Sequence, residues 1–484
     1  MYKKHFSSLF LLLITCIYNI NAENKPNIVL MLVDDLGWMD LSCQGSDFYE
    51  TPNIDQLAAK GIRFTNAYAA CAVCSPSRAS VQTGRYPHKT GVTDWIRSRF
   101  QGGQIPEDKK NPCWKEQDQW VGAGSKGKKL LCPPNALWLE SKETTLAEML
   151  KPAGYTSCFV GKWHLGADAW YPEKQGFDYN FGGCDYGQPP NYFDPYNQPK
   201  GRHQSLRDGI PGLPGRKVGE YLSDREGDEA VKFIKKHKDQ PFFLMLANYA
   251  VHTPIQAKAD VTAKYEKKEK GLHKNSKYAA MVESVDDSMG KIMKALDELK
   301  LTDNTLIIFT SDNGGLNKVT NNTPLRSGKG YPFEGGVRVP FIAKWPAQIQ
   351  EGLISKEPVI SMDIYPTFAK AASVNVEKDD IDGLDLSPMF KGNKELERDT
   401  LYWHFPHYRH APGPYSIIRD GDWKMIKWYE GPVVLFNLKD DLSEEHDLSS
   451  KFPEKVKALD KKLMKHLKKT TDRIPVPNPN YVAK

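Results

Sequence analysis

The sequence predicts an α/β fold: a large mixed sheet sandwiched by helices, with a smaller C-terminal antiparallel sheet plus helix. Three observations predict it. Short apolar runs, Ile28 to Val33, Phe242 to Ala247 and Leu306 to Thr310, lead into the polar residues Asp34, His252 and Asp312, as buried strands do when their carboxyl ends open onto a site. Helical patterns lie between them, clearest from Ser276 to Lys300, where Met281, Val285, Ile292, Leu296 and Leu299 recur at 3.6-type spacing. Beyond residue 395 the texture changes. Leu401 to Trp403, Tyr415 to Arg419, Lys424 to Trp428 and Val433 to Asn437 read as short strands joined by turns such as Asp420-Gly421-Asp422, and a Lys-rich helix follows from Pro453 to Lys469.

At 484 residues with 40% hydrophobic residues, the chain can bury one large core and a smaller one. The expected division is a leader at 1–22, an N-terminal domain at 23–395 and a C-terminal α+β subdomain at 396–484. Lys3 and Lys4, the apolar run from Leu9 to Ile20 and the small-residue end at Ala22 form a signal-peptide pattern. The reading is therefore a secreted or periplasmic protein. The apolar run falls short of the ~20 residues a membrane span needs, so no stable span is expected. Cys16 after Leu13-Ile14-Thr15 only loosely resembles a lipoprotein processing site. Segments 97–140 and 166–220 read as inserted surface loops.

The formal charge of +6 includes the two leader lysines, and acidic and basic residues are interspersed. Such a weak excess gives no indication of a nucleic-acid partner. Apart from Cys16 and Cys74, cysteines stand at Cys43, Cys71, Cys113, Cys132, Cys158 and Cys184. In an exported protein some can pair, with Cys113 and Cys132 the first candidate, although sequence does not fix connectivity.

The decisive segment is Cys74-Ser75-Pro76-Ser77-Arg78-Ala79-Ser80-Val81-Gln82-Thr83-Gly84-Arg85. Pro76 suits the first turn of a helix, which sets residue 74 at a helix N-terminus, where backbone amides and the dipole favour an anion. The segment resembles the signature of the type I, formylglycine-dependent sulfatases of the alkaline phosphatase superfamily, in the arylsulfatase and N-acetylgalactosamine-6-sulfatase manner. The resemblance implies an alkaline-phosphatase-like fold and conversion of Cys74 to 3-oxoalanine (formylglycine) by a formylglycine-generating or maturation enzyme. It also implies hydrolysis of sulfate esters through a formylglycine-hydrate nucleophile and a covalent sulfo-enzyme intermediate. In the hydrate, one hydroxyl attacks sulfur and the other later expels sulfate.

The same resemblance implies that Asp34, Asp35, Asp312 and Asn313, with the residue-74 oxygen, hold one divalent cation. Oxygen donors suit a hard ion, Ca2+ by family resemblance, with Mg2+ the alternative, and argue against zinc. It further assigns Arg78 and Lys162 to the nucleophile and sulfate, His164 to the proton released when the diol collapses, and His252 with Lys329 to the leaving oxygen. The likeness continues through Thr51-Pro52-Asn53-Ile54-Asp55, Glu334-Gly335-Gly336-Val337-Arg338-Val339-Pro340 and Arg419-Asp420-Gly421-Asp422-Trp423-Lys424.

Substrate contacts must come from outside these motifs. Asp94 and Trp95, the Cys184 to Gly187 stretch with Tyr192 and Tyr196, and His404 and His407 beside Trp403 and Phe405 are the aromatic and polar candidates. The expected substrate is a sulfated carbohydrate, an algal polysaccharide or a glycosaminoglycan oligosaccharide, handled by a bacterial polysaccharide-degrading enzyme. Two alternatives stand beside it: a phosphonate or phosphate diester hydrolase of the same superfamily, and an inactive sulfated-glycan-binding protein.

Overall fold

The computed structural model describes residues 25–98, 127–392 and 396–483. The leader at 1–22 and Cys113 lie outside the described residues. No disulfide joins the described cysteines, and Cys71, Cys132, Cys158 and Cys184 are buried thiols. Among the described residues no helix is long and apolar enough to cross a membrane.

Eight strands form the main sheet: β1 (Asn27–Val33), β2 (Ile62–Phe64), β3 (Thr156–Gly161), β4 (Tyr179–Phe181), β5 (Phe242–Asn248), β6 (Thr305–Ser311), β7 (Phe341–Lys344) and β8 (Leu353–Ser355). Their spatial order is β8-β2-β7-β6-β1-β5-β3-β4. β1 runs parallel between β5 and β6, with Val33 opposite both Asn248 and Ser311. Only β7 runs against its neighbours β2 and β6. Three strands appear where the sequence predicted them, each extended by a residue or two. The sheet is mixed, as expected.

Every residue of β1, β5 and β6 is buried, so both faces must be covered. Alternate side chains of β1 enter two different cores. Val29, Met31 and Val33 pack with α1 (Pro52–Ala59), while Ile28, Leu30 and Leu32 pack with α2 (Cys74–Thr83). On the α1 side lie also α3 (Leu222–Lys236) and α4 (Ser276–Glu298), and on the α2 side α5 (Ile364–Ala371). The Asn275 side chain caps α4 by accepting from the Tyr278 amide at 3.1 Å. At its other end Lys300 adopts φ +57, which turns the chain out of the helix before the predicted end. Segment 166–220 corrects the surface-loop expectation: Tyr186, Tyr192, Tyr196, Ile210 and Leu213 are buried in the first core.

The C-terminal sheet is an antiparallel meander of β9 (Thr400–Phe405), β10 (Tyr415–Asp420), β11 (Trp423–Trp428) and β12 (Val433–Asn437). One face, with Trp403, Ile417, Ile426 and Phe436, packs on Tyr68, Val73, Val337 and Ile360. The other, with Ile418, Met425 and Leu435, takes Leu459, Leu463 and Leu467 of α6 (Pro453–Thr470).

A buried charge cluster ties this sheet to the main one. Lys424 Nζ lies 2.8 Å from both Glu334 and Glu444, and Glu334 also pairs with Arg338 and accepts from the Tyr68 hydroxyl. Desolvation pushes Glu334 upward, yet Lys424, then Arg338 and Arg419, hold it below the ordinary glutamate range. Its stabilising share is therefore complete above that range and lost as pH falls through it. Lys424→Met should cost about 3–5 kcal/mol, because in a dry interface it leaves Glu444 without its paired cation and Glu334 with Arg338 as its one ion pair among the described residues. Denaturant midpoints at neutral pH check this; an unchanged midpoint counts against it.

Candidate active site

Four parallel strands deliver side chains to one edge of the sheet. Asp34 and Asp35 follow β1, Lys162 and His164 follow β3, His252 follows β5, and Asp312 and Asn313 follow β6. Backbone bonds lock the turns together: the Asp312 amide donates to Val33, Asp34 to Ala250 at 3.1 Å each, and Lys162 to Ala247 at 2.7 Å. Asp35 and His164 sit in the left-handed region, at φ +62 and +60, a local cost of about 1–3 kcal/mol each that surrounding contacts must offset. Gly161 has φ +96, and a Cβ there would meet the Ala247 carbonyl oxygen at 2.1 Å. Only glycine fits this crossing.

Cys74 is the first residue of α2, after Val73 in extended conformation, and no side chain caps that helix start. The first-turn amides are thus available to an anion. Ser77 fixes the preceding loop, accepting from the Cys71 amide and donating to the Cys71 carbonyl. The Cys71 thiol, buried and pushed up to about 12 by desolvation, is inert beside it.

At the same sheet edge three carboxylates meet three cations. Arg78 donates to Asp312 through Nε at 2.8 Å, and its second nitrogen lies 2.8 Å from Asp312 and 3.7 Å from Asp34. Lys162 reaches Asp34 at 2.6 Å, and Lys329 reaches Asp35 at 2.5 Å. Asn313 donates to Asp35 at 2.9 Å, and His252 Nε2 stands 3.6 Å from it. Burial pushes Asp34 up, whereas Lys329 and then His252 overcome the same desolvation at Asp35 and draw it below the carboxylate range. Ligand atoms of Asp34, Asp35 and His252 fall within 4.8 Å of one another. Asp34 Oδ1 and Asn313 Oδ1 are buried without a hydrogen-bond partner, and such orphaned oxygens are what a hard cation would satisfy.

The two histidines have defined faces. His164 Nε2 bonds the Ile96 carbonyl, so it carries the proton, and Nδ1 is left as a buried acceptor without a partner. Burial, reinforced by Lys162, holds this ring neutral, well below the usual histidine range. His252 donates from Nδ1 to the Thr253 carbonyl at 2.9 Å, which leaves Nε2 toward Asp35.

Above these groups lies a cavity of about 210 Å³ lined by Val73, Cys74, Trp95, His164, Gly187, Gln188, His252, Lys329 and Arg409. Trp95 and Gly187 were among the expected substrate contacts. Asp94 lies just behind, its carboxyl pushed up to about 7 by burial, with Arg409 partly offsetting this. His404 and His407, also among the expected contacts, do not line this cavity. His404 bonds Ser416 and the Arg473 carbonyl, and His407 bonds Thr93, so both rings are used inside the fold. Tyr192 and Tyr196 are likewise core residues. Arg409 and Gln188 had not been singled out; a lone arginine ending the aromatic 403–408 run was the available signal for the first.

Parallel central strands whose carboxyl edge gathers carboxylates, cations and a helix N-terminus form a site suited to an anionic ligand. Comparison with known proteins makes this specific. The sulfatase family profile matches residues 26–374, and that of the N-sulphoglucosamine sulphohydrolase C-terminal region matches 328–473; the chain belongs to the sulfatase family. It is 35% identical to mouse (Mus musculus) N-acetylgalactosamine-6-sulfatase over 79% of this chain and 69% of that one. A sulfatase of Formosa agariphila is 32% identical over 90% of this chain and 86% of the relative. The crystal structure of Ps i-CgsB in complex with k-i-k-neocarrahexaose superimposes with a TM-score of 0.75 at 34% identity, covering 95% of both chains. The protein is a type I sulfatase, a sulfuric-ester hydrolase.

Proposed function

We propose that the protein removes sulfate from a sulfated carbohydrate, an algal polysaccharide or a glycosaminoglycan oligosaccharide, using formylglycine made from Cys74. The observation that carries this reading is Cys74 at an uncapped helix start and in the cavity wall, on the same helix as Arg78, which pairs with Asp312. Relatives named for N-acetylgalactosamine and solved with a neocarrahexaose support the carbohydrate class. Export fits such a substrate, and the leader pattern at 1–22 supports it.

As formylglycine hydrate, residue 74 supplies one hydroxyl to attack sulfur and a second to release sulfate. Asp34, Asp35, Asp312 and Asn313 would hold a calcium ion, which supplies charge neutralisation at the sulfate oxygens and eases deprotonation of the attacking hydroxyl. Arg78 and Lys162 orient the anion from below. His164 Nδ1, the unpartnered base in the cavity wall, accepts the proton when the second hydroxyl collapses. Lys329 and His252 flank the leaving oxygen, and a proton delivered there matters because sugar alkoxides leave poorly.

The test is a substrate panel. Sulfated mono- and oligosaccharides should be turned over with kcat/KM at least ~10²-fold above matched phosphate diesters. A phosphodiester preference would move the protein to phosphoester chemistry, and tight glycan binding without sulfate release would make it a lectin.

A further inference from the structure

Next to the catalytic cavity is a larger depression of about 840 Å³, walled by residues 266–277 leading into α4 and by residues 317–327 after β6. Lys270, Lys274, Lys277 and Lys318 stand exposed on it, and none forms an ion pair with a described residue. Nearby Lys264 and Lys268 are different, since Glu50 and Glu283 pair with the first and Glu50 with the second. Glu266 is the one acidic residue of the lining among the described residues. The first turn of α4 carries no acidic residue, so its dipole adds to the positive potential. Ser276, also on the lining and 7% exposed, holds a hydroxyl with no hydrogen-bond partner.

The depression and the cavity have no lining residue in common, but one segment of chain reaches both. Ser327 lines the first and Lys329 the second, and the Lys329 amide is held by Gly315 at 3.0 Å. Tyr278, in the first turn of α4, donates to the Asp35 carbonyl at 3.4 Å. Both therefore sit at the carboxyl edge of the main sheet. Like charges crowded in one groove repel until an anion joins them. The 210 Å³ cavity admits a sulfate and part of one sugar ring, whereas about 840 Å³ accommodates several further atoms' worth of rings.

We propose that this basic groove is a second binding site, which takes sulfate groups further along a polymeric sulfated carbohydrate while one ester occupies the catalytic cavity. The inference rests on the sulfuric-ester reading and adds to it: the enzyme grips a chain, and longer substrates gain affinity from sulfates it does not cleave.

The test compares the unaltered protein with K270E/K274E/K277E/K318E and with the corresponding four-fold Gln variant. Substrates are carrageenan and chondroitin sulfate oligosaccharides of increasing length, with a monosulfated monosaccharide as the short reference. The charge-reversed variant should lose about 10–100-fold in kcat/KM on the longest substrate, the Gln variant less, and both should stay within about twofold on the monosaccharide. Added salt should weaken the unaltered protein on long substrates, leave the Gln variant nearly flat and partly relieve the reversed variant. Equal kinetics at every length, or an equal loss on the monosaccharide, overturns the groove. Calorimetric binding of the same oligosaccharides separates the two readings. Binding by the unaltered chain alone, with the aldehyde verified at residue 74 and no turnover of any sulfate ester, supports the groove and refutes the reaction.

Discussion

Cys74→Ala should leave a folded protein with at least ~10⁴-fold less turnover of every sulfate ester, as expected when a covalent nucleophile is deleted. The fold should survive because the change is small. Cys74 is 4% exposed, and losing one sulfur from a site that opens into a cavity costs about 1 kcal/mol. The charge lattice beneath does not depend on it: Arg78 stays on Asp312 and Lys162 on Asp34. Helix α2 keeps its left-handed Gly84 cap. Thermal melting should therefore be nearly unchanged while activity disappears. The active protein should show, by peptide mass spectrometry, an aldehyde in place of the thiol at residue 74. Protein produced without a maturation enzyme should keep the thiol and be as inactive as the alanine variant. Full activity with alanine at 74 would sink the mechanism.

Much of this site was legible because its residues fall in short, ordered motifs at strand ends. Asp34, Lys162, His252 and Asp312 each follow an apolar run, and once those runs lie parallel the side chains must converge on one edge. Helix α2 was legible for a similar local reason, since Pro76 tolerates only the first turn. What sequence could not give was long-range placement. His404 and Arg409 are five positions apart, yet one bonds Ser416 across the small sheet and the other lines the cavity. His404 belongs to β9 and Arg409 to the loop that follows it, and no local pattern encodes where that loop turns. The same limit explains Tyr192 and Tyr196: a segment rich in Gly, Pro and Asn reads as surface, but a few aromatic anchors sink it into the first core. The basic groove was invisible too, because Lys318 joins Lys270, Lys274 and Lys277 only through the fold.

Asp312→Asn should be the second large loss, about 10³-fold or more in kcat, with a destabilisation of about 3–5 kcal/mol that Cys74→Ala lacks. Three carboxylates, Asp34, Asp35 and Asp312, face three cations, Arg78, Lys162 and Lys329. Removing one negative charge leaves Arg78, 1% exposed, with the Lys162 carbonyl and, as its one paired carboxylate among the described residues, Asp34 at 3.7 Å. The amide also loses an anionic donor beside the orphaned Asp34 and Asn313 oxygens, so cation binding should weaken with it. Melting curves read this without relying on activity. After chelation, added Ca2+ should raise the midpoint of the unaltered protein, because a ligand that binds only the folded state stabilises it in proportion to RT ln(1 + [L]/Kd). Asp312→Asn should show no such rise at the same concentration. Mg2+ should act more weakly, since it demands a tighter octahedral shell than side chains already spread over three ion pairs can form. An equal calcium response in both proteins would remove Asp312 from the cation site and leave it only the task of holding Arg78.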